Sequence, residues 1–190
     1  MVRVITPPAS EPVTLEAAKL HCRVDHDAED TLISSLITAA RVYCEGVQNR
    51  AYITQTLAIT LDGFPATPYD LPRPPLQGNV DITYTDEDGN VETVDTDDYV
   101  VDTTGFKGRI KLKRSASWPT DTLQEIGAVS IFFDAGYGDA TDIPQTVKQA
   151  MLLLIGHWYI NREGAISGQV NREIEFAVNA LLGLDRVWSM

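Results

Sequence analysis

The sequence predicts an α+β protein: a small bundle of about four helices carrying an inserted antiparallel β-module. Three observations lead there. Apolar residues recur at three- and four-residue spacing toward both ends of the chain. The spacing changes to two between residues 51 and 138, and glycine and proline punctuate that middle stretch. The 190 residues are enough for a sizeable core, and contents of 44% hydrophobic and 22% charged residues exclude wholesale disorder. The expected parts are residues 1–50 as the N-terminal part of the bundle, 51–140 as the β-rich insertion, 141–183 as the C-terminal part of the same bundle, and 184–190 as a tail.

Each element has its own reason. After the proline-punctuated "TPPASEP", Thr14 is placed to cap a helix over "LEAAKLHCR", and Glu16 suits the positive end of its dipole. A second helix is expected to start with Asp27 as its cap and Glu29 and Asp30 in its first turn. Leu32, Ile33, Leu36, Ala40, Tyr43, Cys44 and Val47 fall on one face of it. Ile53, Leu57, Ile59 and Leu61 then alternate with smaller or polar residues, as in a strand covered on one side. "GFPATPYDLPRPPLQGN" is too rich in proline for a central strand and reads as an extended connection. "VDITYT" and "VETV" flank "DEDGN", whose Asp-Gly signals a hairpin. "YVVD", "RIKLK" and "VSIFFDAGYG" complete five or six strands. Asp142 as cap and Pro144 in the first turn open a third helix that runs to about Arg162. A glycine-rich joint over 163–171 leads to a last helix, "REIEFAVNALL", stopped by Gly183.

The third helix is unusual. From Ala150 to Ile160 it has no charge on any face, yet the run is too short for a bilayer, which takes about 20 residues. Its covering is therefore protein, from the other three helices or from a neighbouring copy, and His157, Trp158 and Tyr159 are candidate subunit-interface residues.

Charge and motifs narrow the function. A net charge of -12 argues against a protein that grips duplex DNA across its surface. The segment from Asp86 to Asp102 carries acids and no base, whereas Lys107, Arg109, Lys111, Lys113 and Arg114 follow with no acid among them. The spacing of two from Lys107 to Lys113 sets four cations on one strand face, with Ile110 and Leu112 on the other. This strip is a candidate contact for a subunit or for DNA, and a nucleic-acid-binding module acting through it is the alternative function. A metal-dependent enzyme stands third. Of the three histidines, His21, His26 and His157, His26 among acids in "DHDAED" is a weak metal signal without a second histidine at ligand spacing, and His157 suits a satisfied role in a core or an interface. "DEDG" places glycine fourth and not sixth, so the calcium-loop pattern fails. "AGYG" is a turn before it is a phosphate cradle. No combination of nucleophile, base and orienter emerges, and no cofactor or metal is expected. Cys22 and Cys44, on predicted helices without a secretory leader, are expected to be reduced buried thiols of a protein made inside the cell and not at a membrane. In the tail, Leu184, Val187 and Trp188 beside Arg186 have the composition of an interface anchor.

"PVTLEAAKLHCRVDHDAEDTLISSLITAARVYCEGVQNRAYITQT", then "LPRPPLQG", then "FFDAGYGDATDIPQTVKQAMLLLIGHWYINREGA" together resemble the head-tail connector, or adaptor, family of long-tailed bacteriophages and gene transfer agents. The resemblance implies a helical bundle with a β-insert, without catalysis or cofactor. It implies a ring, commonly of twelve subunits, beneath the portal in the virion neck, made in the host bacterial cytoplasm. It also implies that DNA passes through the ring during packaging and ejection without being read, and that a head-completion (stopper) or tail protein docks below. In relatives the C-terminal segment reaches toward the portal, which implies a portal-binding role for Leu184, Arg186, Val187 and Trp188. Leu184 and Asp185 stand where relatives often carry a proline and an aromatic before the arginine.

Overall fold

The computed structural model describes residues 2–162 and 172–188. It is an α+β fold, as expected, and it divides into two compact units: residues 1–9 with 54–137, and residues 10–53 with 138–190.

The first unit is built from two antiparallel sheets. In chain order the strands are β1 (Val2–Thr6), β2 (Gln55–Leu61), β3 (Tyr69–Asp70), β4 (Leu76–Thr85), β5 (Val91–Thr93), β6 (Tyr99–Asp102), β7 (Arg109–Leu112) and β8 (Val129–Ala135). One sheet has the order β1-β2-β8-β4-β5 and the other β3-β7-β6. Register follows from the period of two. Ile59 pairs with Ile131 and Ile131 with Ile82, while Leu57 pairs with Phe133 and Phe133 with Val80, so all six side chains are buried in two rows. The Tyr99 hydroxyl donates to the Val80 carbonyl at 2.7 Å, tying β6 to β4. The Asp-Gly hairpin forms as expected. Gly89 takes a φ of +86°, and the Asp86 carboxylate accepts the Asn90 N–H at 2.8 Å.

Two features of this unit depart from the sequence expectation. Strand β1 was not foreseen: its short run ends at Pro7 and Pro8, and Val4 and Ile5 stay exposed, so its strand character comes from the ladder with β2. The proline-rich connection, read as extended and not as a central strand, contributes the two-residue strand β3 and, at residues 76–79, the start of the interior strand β4, and it has cis bonds before Pro68 and Pro75.

The second unit is helical: α1 (Leu15–Cys22), α2 (Asp30–Gln48), α3 (Gln145–Ile160) and α4 (Arg172–Gly183). The joint read over 163–171 lies outside the described residues. Thr14 caps α1 by accepting the Ala17 N–H at 3.2 Å. Asp27 does not cap α2. Its carboxylate is held by Lys19 Nζ at 2.6 Å, and Glu29 occupies the cap position without its side chain accepting a helix N–H. Nor does Asp142 cap α3, which starts at Gln145 after Pro144, because its Oδ2 accepts the Asp139 N–H.

Helix α3 packs against α1, α2 and α4, the central position expected of it. Val147, Ala150, Met151, Leu154 and Ile155 are buried, and Gly156 admits the His21 ring of α1, which a Cβ there would approach to 3.1 Å. Other positions stay partly open: Leu152, Leu153 and Trp158 are half-buried, and Ile160 is 77% exposed. The buried face of α2 differs from the one read in the sequence. Ile33, Ala40 and Cys44 are buried as expected, but Ile37, Arg41, Glu45 and Gln48 join them, while Tyr43 is exposed. Cys44 is buried and Cys22 half-buried, and both are free thiols. Burial, with the nearby Glu45 charge, pushes the Cys44 thiol up to about 12, so it stays protonated and inert at neutral pH.

Candidate functional site

The polar residues on the buried face of α2 need partners, since an unpaired buried charge is strongly unfavourable. They find them close together. Arg41 Nε meets Glu11 Oε2 at 2.7 Å, and its Nη1 donates to Glu45 Oε2 at 3.1 Å. Burial disfavours the Arg41 charge, but Glu11 and Glu45 outweigh it and raise the guanidinium pKa. Glu45 Oε1 accepts the Tyr52 N–H at 2.9 Å, and the Tyr52 hydroxyl donates to Gln48 Oε1 at 2.8 Å. Asn49, in the left-handed region at φ 54°, ends the helix and turns Arg50 inward, where it is 6% exposed.

This polar knot also takes hold of the chain's C-terminal end. Gln48 Nε2 donates to the Leu182 carbonyl at 2.8 Å, Arg50 Nε to the Asp185 carbonyl at 2.7 Å, and the Val187 N–H donates back to the Gln48 carbonyl at 2.9 Å. Leu182 and Val187 are buried beneath these bonds. Leu184 is 76% and Trp188 70% exposed, and the exposed Arg186 sets its guanidinium carbon 4.5 Å from the centre of the Trp188 ring. Of the tail residues singled out in the sequence, Val187 is thus an anchor, whereas Leu184, Arg186 and Trp188 face outward. Sequence reasoning missed Arg41, Glu45, Gln48 and Arg50. The available signal was their spacing: Arg41, Glu45 and Gln48 recur at four and three residues, alongside Ile37 and Cys44.

The residues at the end of α3 have partners within the helical unit. The Trp158 ring meets Tyr43 edge-on at 6.1 Å, and His157 Nδ1 lies 3.1 Å from the Asn161 side-chain amide. The Tyr159 hydroxyl donates to Glu29, whose other oxygen accepts Arg162 Nη2 at 2.7 Å. The Tyr159 hydroxyl and then Arg162 lower the Glu29 pKa.

Of the four cations expected on one strand face, Arg109 and Lys111 lie exposed on β7 with Ile110 buried, whereas Lys107 and Lys113 fall outside the strand, which runs only from Arg109 to Leu112. The basic strip is not a free cationic surface. Arg109 Nη2 lies 2.6 Å from Asp102 Oδ2, Lys113 Nζ 3.7 Å from Asp97, and Lys107 Nζ 3.9 Å from Asp70. Among the described residues, Lys111 and Arg114 alone of the five have no acidic partner. Strands β6 and β7 pair the acidic segment with the basic one, and the strip's charge is largely neutralised by the chain itself.

Also among the described residues, no group of three or more His, Cys, Asp or Glu is placed to hold a metal ion, and no helix is long and apolar enough to cross a membrane.

Residues 12–72 match the family model described as Phage gp6-like head-tail connector protein. No curated protein sequence matches the chain. In fold it is similar to chains in three solved structures, each 23% identical, with all of this chain and 97% of that chain covered. They are the virion of a native gene transfer agent (GTA) particle, at a TM-score of 0.80, the neck of an empty GTA particle computed with C6 symmetry, at 0.82, and the neck of a native GTA particle computed with C12 symmetry, at 0.74. The resemblance to head-tail connectors is borne out over the matched segment, and the shared fold extends over the whole chain.

Proposed function

We propose that the chain is a non-enzymatic structural adaptor of the neck of a virus or virus-like particle. Copies form a ring beneath the portal, twelve-fold in the particle, that joins the DNA-filled capsid to the tail. A heterologous contact between different faces of identical subunits closes such a ring. The half-covered end of α3, with His157, Trp158 and Tyr159, is one face for that contact. DNA passes through the channel without sequence recognition, and a stopper or tail protein docks on the far side.

One observation carries this reading beyond the family likeness. The tail is bonded to the bundle through Gln48, Arg50 and Val187, yet it turns Leu184, Arg186 and Trp188 outward. Large apolar groups and arginine in an ordered segment are what interface anchors consist of. The portal is the partner proposed for them. Pull-down by a purified portal ring tests this: the full chain is retained, and a chain lacking residues 184–190 is not. Retention of the shortened chain at wild-type level overturns the assignment of the tail to the portal.

A further inference from the structure

We propose that Gln48 and Arg50 are positioning residues for docking. They hold residues 182–187 in one register on the helical unit, so that Leu184, Arg186 and Trp188 meet the partner as a pre-formed element. The inference rests on the reading above for the identity of that partner.

The geometry is specific. A single turn of chain at the end of α2 makes three directional bonds to residues 182–187, one to the last turn of α4 and two to the tail that follows it. Two are donated by side chains, to the Leu182 and Asp185 carbonyls, and one is donated by the Val187 N–H to the Gln48 carbonyl. All three partners in residues 182–187 are backbone groups, so the bonds set where the segment lies whichever side chains it displays. Terminal segments ordinarily fray, and this one is held against fraying by two buried side chains, Leu182 and Val187. The Gln48 side chain is itself fixed at its other end by the Tyr52 hydroxyl. What the clamp presents is an indole with a guanidinium stacked on its face. The complementary surface is an apolar slot for the Trp188 ring and Leu184, bordered by carboxylate or main-chain carbonyl oxygens for the N–H donors of Arg186. Ordering the segment before binding removes an entropic cost that a loose tail would incur on docking.

The full chain labelled with 5-fluorotryptophan allows a direct test by 19F NMR, with Trp188→Phe assigning the Trp188 resonance. Gln48→Met keeps the volume and removes both side-chain bonds, and Arg50→Lys keeps the charge and removes the Nε–H donor that reaches the Asp185 carbonyl. In either variant the Trp188 line narrows and moves toward the position of free indole, while the Trp118 and Trp158 lines stay in place. Affinity for the portal ring falls by about tenfold, mainly through faster dissociation. If Gln48→Met fails to fold, as shown by collapse of the Trp118 and Trp158 shifts, Arg50→Lys decides the question alone. Unchanged Trp188 linewidth and unchanged portal affinity in a folded variant overturn the positioning role, even where deletion of 184–190 abolishes binding. Should the deleted chain bind the portal normally, the tail reading fails, and the Trp188 linewidth still decides whether Gln48 and Arg50 hold the segment.

Discussion

The end of α2 and the paired strands β6 and β7 both concentrate charged and polar side chains, and they use them in opposite ways. Arg41, Glu45 and Gln48 on α2, and Arg50 just beyond its end, are between 1% and 8% exposed, and each is bonded to a specified atom. On β7 and just after it, the side chains of Arg109 and Lys113 are 48% and 42% exposed, and their acidic partners lie on the surface beside them. A buried polar group must find its partner or destabilise the fold, so the α2 knot dictates where remote backbone lies. An exposed pair is screened by water and dictates little. The same residue types thus build a clamp in one place and merely balance charge in the other.

The sharpest way to break this contrast is Glu45→Ala. It leaves Arg41 half-paired in a buried site and the Tyr52 N–H without its acceptor. A loss of about 3 kcal/mol in urea unfolding is expected, and a loss below about 1 kcal/mol would show that the knot is not a structural necessity. Gln48→Ala comes next, at about 2 kcal/mol by the same measurement, because the Leu182 carbonyl and Tyr52 hydroxyl are left buried and unsatisfied.

On the strand side the effects are local. The Thr104 hydroxyl first, then Arg109 and the Thr104 N–H, hold the Asp102 carboxyl down at about 2. Because its folded pKa is depressed, the carboxylate favours the native state above its unfolded pKa, and that contribution is lost as pH falls through about 2. NMR titration of the Asp102 carboxyl is expected to show this midpoint. Thr104→Ala should raise it more than Arg109→Ala, and the reverse order would contradict the assigned cause. The smallest effect is expected from Lys111→Glu with Lys113→Glu. The urea midpoint should stay in place, and neither the parent nor the double variant should retard duplex DNA at physiological salt. Salt-sensitive retardation by the parent, lost in the double variant, would favour the nucleic-acid reading.

Much of the fold was legible because it is encoded locally. The Thr14 cap, the Asp-Gly hairpin and the alternation in β2 and β8 depend on neighbours within a few residues, and each appears where the spacing put it. The caps assigned to Asp27 and Asp142 failed because Lys19 and the Asp139 N–H compete for those carboxylates. The clamp was out of reach for a different reason. Gln48 and Leu182 are separated by 134 positions, as are Arg50 and Asp185 by 135, and nothing local in either segment announces the other. The charged and amide residues on the apolar stripe of α2 showed only that some partner had to exist. The tail's composition pointed to an anchor, but its division into buried Val187 and outward Leu184, Arg186 and Trp188 required the three-dimensional register.

Electron microscopy of the source particle, at a resolution that traces this chain, tests the central claim most directly. The account predicts a closed ring of copies at the head-tail junction, with Trp188 of each copy seated in a slot of the portal and residues 182–187 still bonded to Gln48 and Arg50. A particle in which this chain is absent from the neck, or in which the ring meets the portal through other residues while Trp188 stays in solvent, would contradict it.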